Sequence, residues 1–182
     1  MPKTTGYSLW LMPERNTKTY SFLDQLIRNL AARYQTPIFN SHITLLGGIN
    51  DNEQNVREKT QLLAEKLTPY EIQLDEIGTN KTYFQILFYK IKPTHSALNA
   101  NDIARKVFGI NKEKYFPHLS LAYGDLTSEQ VFVLKQIVTQ YNQISEICFE
   151  IKTIELWRTE GAVEKWRKIA IFPIKNLLNL KK

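Results

Sequence analysis

The sequence predicts an α+β fold of two pseudo-symmetric lobes, in which antiparallel sheets line a central cleft and the helices lie outside. Three observations support this prediction. Segments with apolar residues at helical spacing alternate with short apolar runs that are typical of strands. The order strand, helix, strand, helix and strand pair occurs in both halves of the chain. A frame of histidine, apolar residue, hydroxyl residue and leucine occurs in each half, at residues 42–45 and 118–121.

The first half is predicted to contain four strands and two helices. Pro13 closes the first strand, and Pro37 separates the first helix from the second strand. Apolar residues from Tyr20 to Tyr34 repeat at helical spacing, which predicts a helix with one buried face. The predicted elements are a strand at Tyr7–Met12, a helix from about Lys18 to Tyr34, a strand at His42–Leu46, a helix from near Asp51 to Pro69, and strands at Tyr70–Ile77 and Thr82–Ile91.

The second half is predicted to follow a similar order. Pro93 and Thr94 open a helix that Gly109 ends, because glycine readily adopts the left-handed conformation at a helix C-terminus. Thr127–Gln130 has the pattern of a capping box. The remaining predicted elements are a strand at His118–Tyr123 closed by Gly124, a helix opened by that capping box and extending to Tyr141, and strands at Ile144–Trp157 and Trp166–Ile174.

Length and composition predict one globular domain spanning residues 1–182, since no linker or low-complexity segment divides the halves. The net charge of +6 favours an anionic ligand. Basic residues are mixed with acidic ones apart from Lys181 and Lys182, so a long nucleic-acid groove is not expected. No apolar run approaches a membrane span or a signal peptide, and we expect a soluble, cytoplasmic monomer with no membrane contact.

Cys148 is the single cysteine, which excludes a disulfide within the chain. Its neighbours Ile147, Phe149 and Ile151 are apolar and predict a buried thiol. The lone thiol is compatible with a reducing compartment. With one cysteine and three histidines, a structural zinc site is not expected, and we predict neither metal nor cofactor.

The duplicated frame predicts a site for acid–base chemistry on a phosphate. Successive side chains of a strand point to opposite faces, so His42 and Thr44 share one face while the residues between and after them enter the core. His118 and Ser120 have the same arrangement. Two such strands brought together place two imidazoles and two hydroxyls in one cleft. The third histidine, His95, has no such frame and is predicted to be exposed.

These residues resemble the two-histidine phosphoesterase superfamily, which is defined by a pair of His-x-Thr/Ser-x motifs. Further segments are similar to its cyclic phosphodiesterase branch, and together they extend the resemblance over essentially the whole chain: Tyr7–Trp10 followed by Pro13, Pro117–Leu121 followed by Tyr123, and Thr159–Trp166. The resemblance implies opening of ADP-ribose 1″,2″-cyclic phosphate and of nucleoside 2′,3′-cyclic phosphates. Some relatives carry disulfides, whereas this chain has a single cysteine and cannot form one within itself.

Hydrolysis of a cyclic phosphodiester needs a base for the attacking water and an acid for the departing ribose oxygen. An imidazole pKa near ~6.5 lets one histidine be neutral and its partner protonated. The sequence does not separate the two roles, and the resemblance implies His118 as base and His42 as acid. Thr44 and Ser120 are expected to hydrogen-bond the non-bridging phosphate oxygens.

Four aromatic residues are candidates for substrate binding. Tyr123 resembles a tyrosine that contacts the substrate in cyclic phosphodiesterases. Trp10, Tyr83 and Phe84 are expected to stack on a nucleobase, as aromatic side chains do with nucleotides. For each of them, packing in the core is the alternative interpretation.

Two other functions stay open at this stage. The first is an RNA-end processing enzyme, either a 2′,3′-cyclic phosphodiesterase or ligase-like enzyme or a 3′ exonuclease, acting on RNA 3′ ends. Such an enzyme is expected to show a basic strip beside the cleft, and the sequence shows no obvious one. The second is a non-catalytic nucleotide-binding module, against which the intact histidines and hydroxyls argue.

Overall fold

A computed structural model describes residues 4–111, 114–141 and 146–175. In chain order its strands and helices are β1 (Tyr7–Leu11), α1 (Lys18–Tyr34), β2 (Ile43–Ile49), α2 (Glu53–Lys66), β3 (Tyr70–Gly78), β4 (Leu87–Ile91), α3 (His95–Phe108), β5 (His118–Ala122), α4 (Ser128–Thr139), β6 (Cys148–Ile151), β7 (Thr153–Arg158) and β8 (Arg167–Pro173). None of the helices in these ranges is long and apolar enough to cross a membrane.

The helices begin at hydroxyl or amide side chains, as their sequences predict. Thr17, Asn52, Thr94 and Thr127 each accept a hydrogen bond from a backbone N–H of the first turn. Thr127 and Gln130 form the predicted capping box. The chain leaves α3 through Gly109, whose φ of 65° is left-handed and costs glycine little.

The strands form an antiparallel sheet in the order β6-β3-β4-β5-β2-β1-β7-β8. The two motif strands, β5 and β2, are neighbours at its middle. On one side of this seam lie β4, β3 and β6, and on the other side lie β1, β7 and β8. The two groups are the lobes that the sequence predicts. They do not coincide with the two halves of the sequence, because β3 and β4 join β5 whereas β7 and β8 join β1.

The sheet is strongly curled, as the connection between β6 and β7 shows. These strands are six places apart in the sheet order, yet only Lys152 separates them in the chain. One residue spans less than ~4 Å, so the sheet must bend until the two strand ends meet. The single strand predicted at Ile144–Trp157 is therefore two strands, and its first residues, like Lys181 and Lys182, lie outside the described ranges.

Two other predictions about local structure are wrong. The strand predicted at Thr82–Ile91 begins only at Leu87, because Tyr83–Gln85 forms a short 3-10 turn. Cys148 is exposed rather than buried. In β6 the residues alternate between the two faces, so Phe149 and Ile151 point inward and Cys148 points outward.

The helices cover one face of the sheet and enclose the main core. Helix α1, which connects β1 to β2, contacts β5, and helix α3, which connects β4 to β5, contacts β2. The helix that precedes each motif strand therefore packs against the other motif strand. This reciprocal arrangement is the pseudo-symmetry that the repeated element order predicts. The opposite face carries a small separate cluster of Trp10, Met12 and Trp157, and this face holds the histidines.

Candidate active site

The register between β2 and β5 brings the two motifs together. Ile43 pairs with Leu119, each being the residue that follows a motif histidine. An antiparallel register continued by one residue in each direction places His42 opposite Ser120 and Thr44 opposite His118. Each imidazole therefore lies beside the hydroxyl of the other motif as well as that of its own. Both apolar residues of the pair are buried in the core.

Both histidines are held in the same orientation. The Nδ1 atom of His42 lies 2.7 Å from the carbonyl oxygen of Asn40, and Nδ1 of His118 lies 2.8 Å from that of Phe116. A carbonyl oxygen only accepts, so each neutral ring carries its proton on Nδ1. Nε2 is then left as a proton acceptor. The two rings are thus held in the same tautomer, with Nε2 as the unprotonated nitrogen atom of each.

Each histidine also packs on an aromatic ring from the neighbouring strand. Trp10, which pairs with Thr44, stacks on His42 with ring centroids 3.6 Å apart. Phe88, which pairs with Ser120, meets His118 edge-on at 5.3 Å. Phe88 was not among the residues predicted from the sequence. Phe88 lies on the strand beside β5 as Trp10 lies on the strand beside β2, so the repeated order of strands could have indicated it.

The two histidines differ in burial and in electrostatics. His42 is only 4% exposed, whereas His118 is half-buried. Burial lowers the pKa of His42 to about 4, the Asn40 carbonyl opposes this shift, and the charge of His118 adds to it. Burial also lowers the pKa of His118, against the effect of the Phe116 carbonyl. Both rings are therefore mainly neutral in the unliganded protein at neutral pH.

The motif residues line a cavity of about 260 Å³. His42, Thr44, His118 and Ser120 all reach it, and so do three of the four predicted aromatic residues, Trp10, Phe84 and Tyr123. The fourth, Tyr83, does not. Its ring packs against Phe84 and Tyr123, and its exposed side faces a separate groove.

The Ser120 hydroxyl at the cavity already has a polar partner. Ser120 Oγ donates to the carbonyl oxygen of Phe84 at 2.9 Å, which fixes the turn before β4. Burial raises the pKa of Tyr123, and the nearby Ser120 hydroxyl opposes this. The Tyr123 ring stacks on Phe39 with centroids 3.8 Å apart. Tyr123 is therefore a neutral, rigid wall of the cavity.

Several cavity residues were missed by the sequence analysis. Ser8 and Thr159 are buried and share a hydrogen bond of 2.9 Å, and Gly47 and Gln85 also line the cavity. Ser8 could have been found, because it lies two residues before Trp10 and hence on the same face of β1. A Cβ atom on Gly47 would lie 3.3 Å from the Thr44 methyl group, so glycine keeps the cavity open there.

A buried carboxylate supports His42 from behind. Glu155 is 5% exposed and accepts a hydrogen bond of 2.9 Å from the indole of Trp157, which stacks on Trp10 at 4.2 Å. Arg15 forms an ion pair of 3.3 Å with the same carboxylate and donates to the Tyr20 hydroxyl. That hydroxyl donates to the side-chain oxygen of Asn40, and the backbone carbonyl oxygen of the same residue accepts from His42. Stacking and hydrogen bonding therefore fix this imidazole from two directions.

Possible metal ligands are not concentrated at the site. Across the ranges that the structure describes, no three His, Cys, Asp or Glu side chains come close enough together to hold a metal ion.

Paired histidine–hydroxyl motifs on adjacent antiparallel strands, within this α+β fold, define a two-histidine phosphoesterase. The family described as "Cyclic phosphodiesterase-like protein" matches residues 5–173, and the chain belongs to that family. It is a phosphodiesterase of the hydrolase class that acts on cyclic phosphodiesters.

Two relatives illustrate this similarity. The chain is 22% identical to a cyclic phosphodiesterase of Arabidopsis thaliana, with 93% of this chain and 95% of the relative covered. It is 24% identical to a 2′,3′-cyclic-nucleotide 3′-phosphodiesterase of Kluyveromyces lactis, with 91% and 97% covered.

Solved structures agree on the fold. The TT0787 protein of Thermus thermophilus has a TM-score of 0.62 at 12% identity and covers 95% of this chain and 100% of its own. E. coli LigT complexed with 3′-AMP has a TM-score of 0.58 at 12% identity and covers 96% of this chain and 99% of its own. The expected fold class is thereby confirmed.

Proposed function

We propose that the protein hydrolyses nucleoside 2′,3′-cyclic phosphates to 2′-phosphates, and ADP-ribose 1″,2″-cyclic phosphate to the 1″-phosphate, by paired histidine catalysis. The observation that carries the proposal is the presence of two Nε2 atoms and two hydroxyls in one cavity. The relatives named as 2′,3′-cyclic-nucleotide 3′-phosphodiesterases support the substrate class and the bond. Cleavage of the bond to O3′ leaves the phosphate on O2′.

Water attacks phosphorus while one imidazole removes its proton and the other protonates the departing ribose oxygen. We assign the base role to His118 and the acid role to His42. The half-buried His118 is more accessible to water than His42, which is closed in by Trp10. An anionic phosphate beside His42 and the face of Trp10 both favour an imidazolium ion. Thr44 would donate to a non-bridging oxygen as negative charge accumulates, and Ser120 would do so once its hydroxyl turns away from the Phe84 carbonyl oxygen.

Substitution of each histidine tests this mechanism. His42→Ala and His118→Ala are each expected to lower kcat on adenosine 2′,3′-cyclic phosphate by about a hundredfold or more, since each removes one proton transfer. His95→Ala is the matched control, because this histidine is exposed at the start of α3. Near-normal turnover by either motif variant would refute the mechanism. Identification of the product as the 2′- or 3′-phosphate tests the bond.

A substrate with sulfur in place of the departing oxygen separates the two roles. A thiolate leaves without protonation, so the variant lacking the acid should regain much of its lost rate, whereas the variant lacking the base should not. We expect His42→Ala to be rescued in this way and His118→Ala to remain slow. The opposite pattern would exchange the two assignments.

A further inference from the structure

Glu155 is placed on the active-site face of the sheet without reaching the substrate cavity. Of the aspartates and glutamates that the structure describes, it is the only buried one. Its backbone pairs with that of Trp10, which pairs on its other side with Thr44 of the first motif. Alternation along β7 puts Glu155 and Trp157 on this face, while Leu156 between them enters the main core. A carboxylate is therefore built into the aromatic cluster beside His42.

The burial of this carboxylate is costly to the fold. Loss of hydration around an ionised group must be offset by hydrogen bonds and by opposite charge. The Trp157 indole donates to it at 2.9 Å, and Arg15 and Lys168 lie 3.3 and 3.7 Å away. The side chains of these two cations are 40% and 34% exposed, so water weakens their effect. Apolar residues of similar size often serve a fold equally well, and a role at the site therefore accounts for Glu155 better than stability does.

The first connection from Glu155 to His42 is aromatic. Trp157 and His42 both stack on Trp10, with ring centroids 4.2 and 3.6 Å from it. An indole has a single N–H donor, so the hydrogen bond to Glu155 fixes the rotation of the Trp157 ring. A fixed Trp157 limits the positions open to Trp10, and Trp10 limits those open to the imidazole. The plane of His42 is therefore controlled by a carboxylate that does not touch it.

The second connection is a series of hydrogen bonds. Arg15 donates to Glu155 at 3.3 Å and to the Tyr20 hydroxyl at 2.9 Å. Burial raises the pKa of Tyr20, so this hydroxyl keeps its proton and donates it to the Asn40 side chain at 3.3 Å. The backbone carbonyl oxygen of Asn40 accepts from Nδ1 of His42. The carboxylate thus acts on the partner of Nδ1 as well as on the plane of the ring.

The support of the other motif histidine is different in kind. The described rings that contact His118 belong to Phe88, Phe116 and no hydrogen-bonding aromatic residue. Its Nδ1 partner, the Phe116 carbonyl oxygen, belongs to a residue with an apolar side chain. A network that contains a buried charge therefore supports one of the two histidines. Such an asymmetry suits a reaction in which the two rings have different roles.

We infer that Glu155 is a positioning residue for proton donation by His42. This inference rests on the proposed function and names what directs its acid step. In that step the bond between phosphorus and the departing ribose oxygen breaks, its electron pair goes to the oxygen, and the proton of Nε2 passes to the same atom. Proton transfer is fast only when donor and acceptor are aligned. Glu155 holds the imidazole so that Nε2 faces the departing oxygen.

The test uses Glu155→Gln on two substrates. Glutamine keeps the size of the side chain and an acceptor for the indole, but it removes the charge that holds Arg15. On adenosine 2′,3′-cyclic phosphate we expect kcat to fall about tenfold and KM to change less than about twofold, because Glu155 does not line the cavity. With sulfur as the departing atom, kcat should fall less than about twofold, because a thiolate leaves without a proton. Turnover of this analogue also shows that the variant is folded.

Glu150→Gln is the matched control. It makes the same change in charge at an exposed position of β6, where the carboxylate pairs with Lys152. Both substrates should be hydrolysed by this variant at the wild-type rate. Equal losses on the two substrates in Glu155→Gln would indicate a merely structural role. No loss on the oxygen substrate would show that the carboxylate is not needed, and either result would overturn the inference.

Proton NMR keeps the test independent of turnover. Stacking on Trp10 places the ring protons of His42 where the indole ring current shields them. The chain has three histidines, so the His42 signals are assigned by their absence in His42→Gln. Glu155→Gln should move these signals downfield, and Glu150→Gln should leave them in place. Unchanged signals would refute the positioning role alone, whereas lack of hydrolysis of any cyclic nucleotide by the wild type would refute the proposed function.

Discussion

The charge state of His42 is set by what occupies the cavity. In the unliganded protein the ring is buried, and its pKa lies at about 4, well below the ordinary value near ~6.5. The acid role that we propose for His42 requires a proton on this ring. A phosphate anion bound in the cavity would supply the missing opposite charge, and the Trp10 face would stabilise the resulting cation. Ligand binding and protonation of His42 are therefore coupled.

This coupling predicts proton uptake when a nucleotide binds. Bound phosphate raises the pKa of His42, so the liganded protein holds more protons than the free protein between the two pKa values. The contribution of His42 to the affinity then rises as the pH falls through that window and levels off below about pH 4. Calorimetric titration with adenosine 2′-phosphate near pH 6, in buffers of different ionisation enthalpy, measures the number of protons taken up.

The contribution of His42 is isolated by a variant. The pKa of His118 is also lowered, so part of the uptake can come from that ring. His42→Gln retains a polar side chain of similar size and should bind with clearly less proton uptake than the wild type. His95→Gln changes an exposed histidine and serves as control. Equal uptake by His42→Gln and wild type would show that the coupled proton lies elsewhere.

The pairing of β3 with β4 controls the position of His118 through Phe88. Gly78 pairs with Phe88, and a Cβ atom added to Gly78 would lie 2.4 Å from the Phe88 ring. No side chain fits there without displacing the ring. Phe88 packs edge-on against His118, so a displaced ring would change the support of that imidazole. The glycine in β3 is thus linked to the geometry of β5.

Gly78→Ala is predicted to lower both stability and activity. The added methyl group overpacks the site, at a cost of about 1–3 kcal/mol in the free energy of unfolding. A misplaced His118 should lower kcat by about tenfold or more.

Gly109→Ala is the matched control. Its φ of 65° disfavours alanine by about 1 kcal/mol, yet its Cβ atom would meet nothing within 4 Å. Denaturant titration and kcat together test the pair, and unaltered kcat in Gly78→Ala would contradict the link.

Local structure could be predicted from the sequence wherever side chains within a few residues determine it. The caps at Thr94 and Thr127 are examples, and so are the alternating faces of the two motifs. Cys148 shows the limit of this approach. Its apolar neighbours predict burial, but burial depends on which face of β6 meets the core, and that is set by pairing with the distant strand β3. The same holds for Phe88, whose partner His118 is thirty positions away in the chain.

The two halves of the chain depend on each other for their sheet contacts. Residues up to Lys92 provide the pairs β1–β2 and β3–β4, and the remainder provides β7–β8 alone. Every other pairing joins strands from different halves. The pseudo-symmetric element order suggests separate lobes, but the exchanged strands make one unit. The site shows the same dependence, since each half supplies one histidine and one hydroxyl.

Neither half is therefore expected to fold alone. Division between Lys92 and Pro93 falls in an exposed connection, so it cuts no helix or strand. The first half would contain two separate pairs of strands with both edges of each pair exposed, and an isolated two-stranded sheet is marginal in water. The second half would lose every partner of β5 and β6.

Circular dichroism should show little cooperative unfolding for either fragment. Their mixture should recover both the unfolding transition and hydrolysis of a cyclic nucleotide, because each fragment supplies the strands that the other lacks. A cooperatively folded single fragment would show instead that the lobes are independent and that strand exchange is not required for the fold.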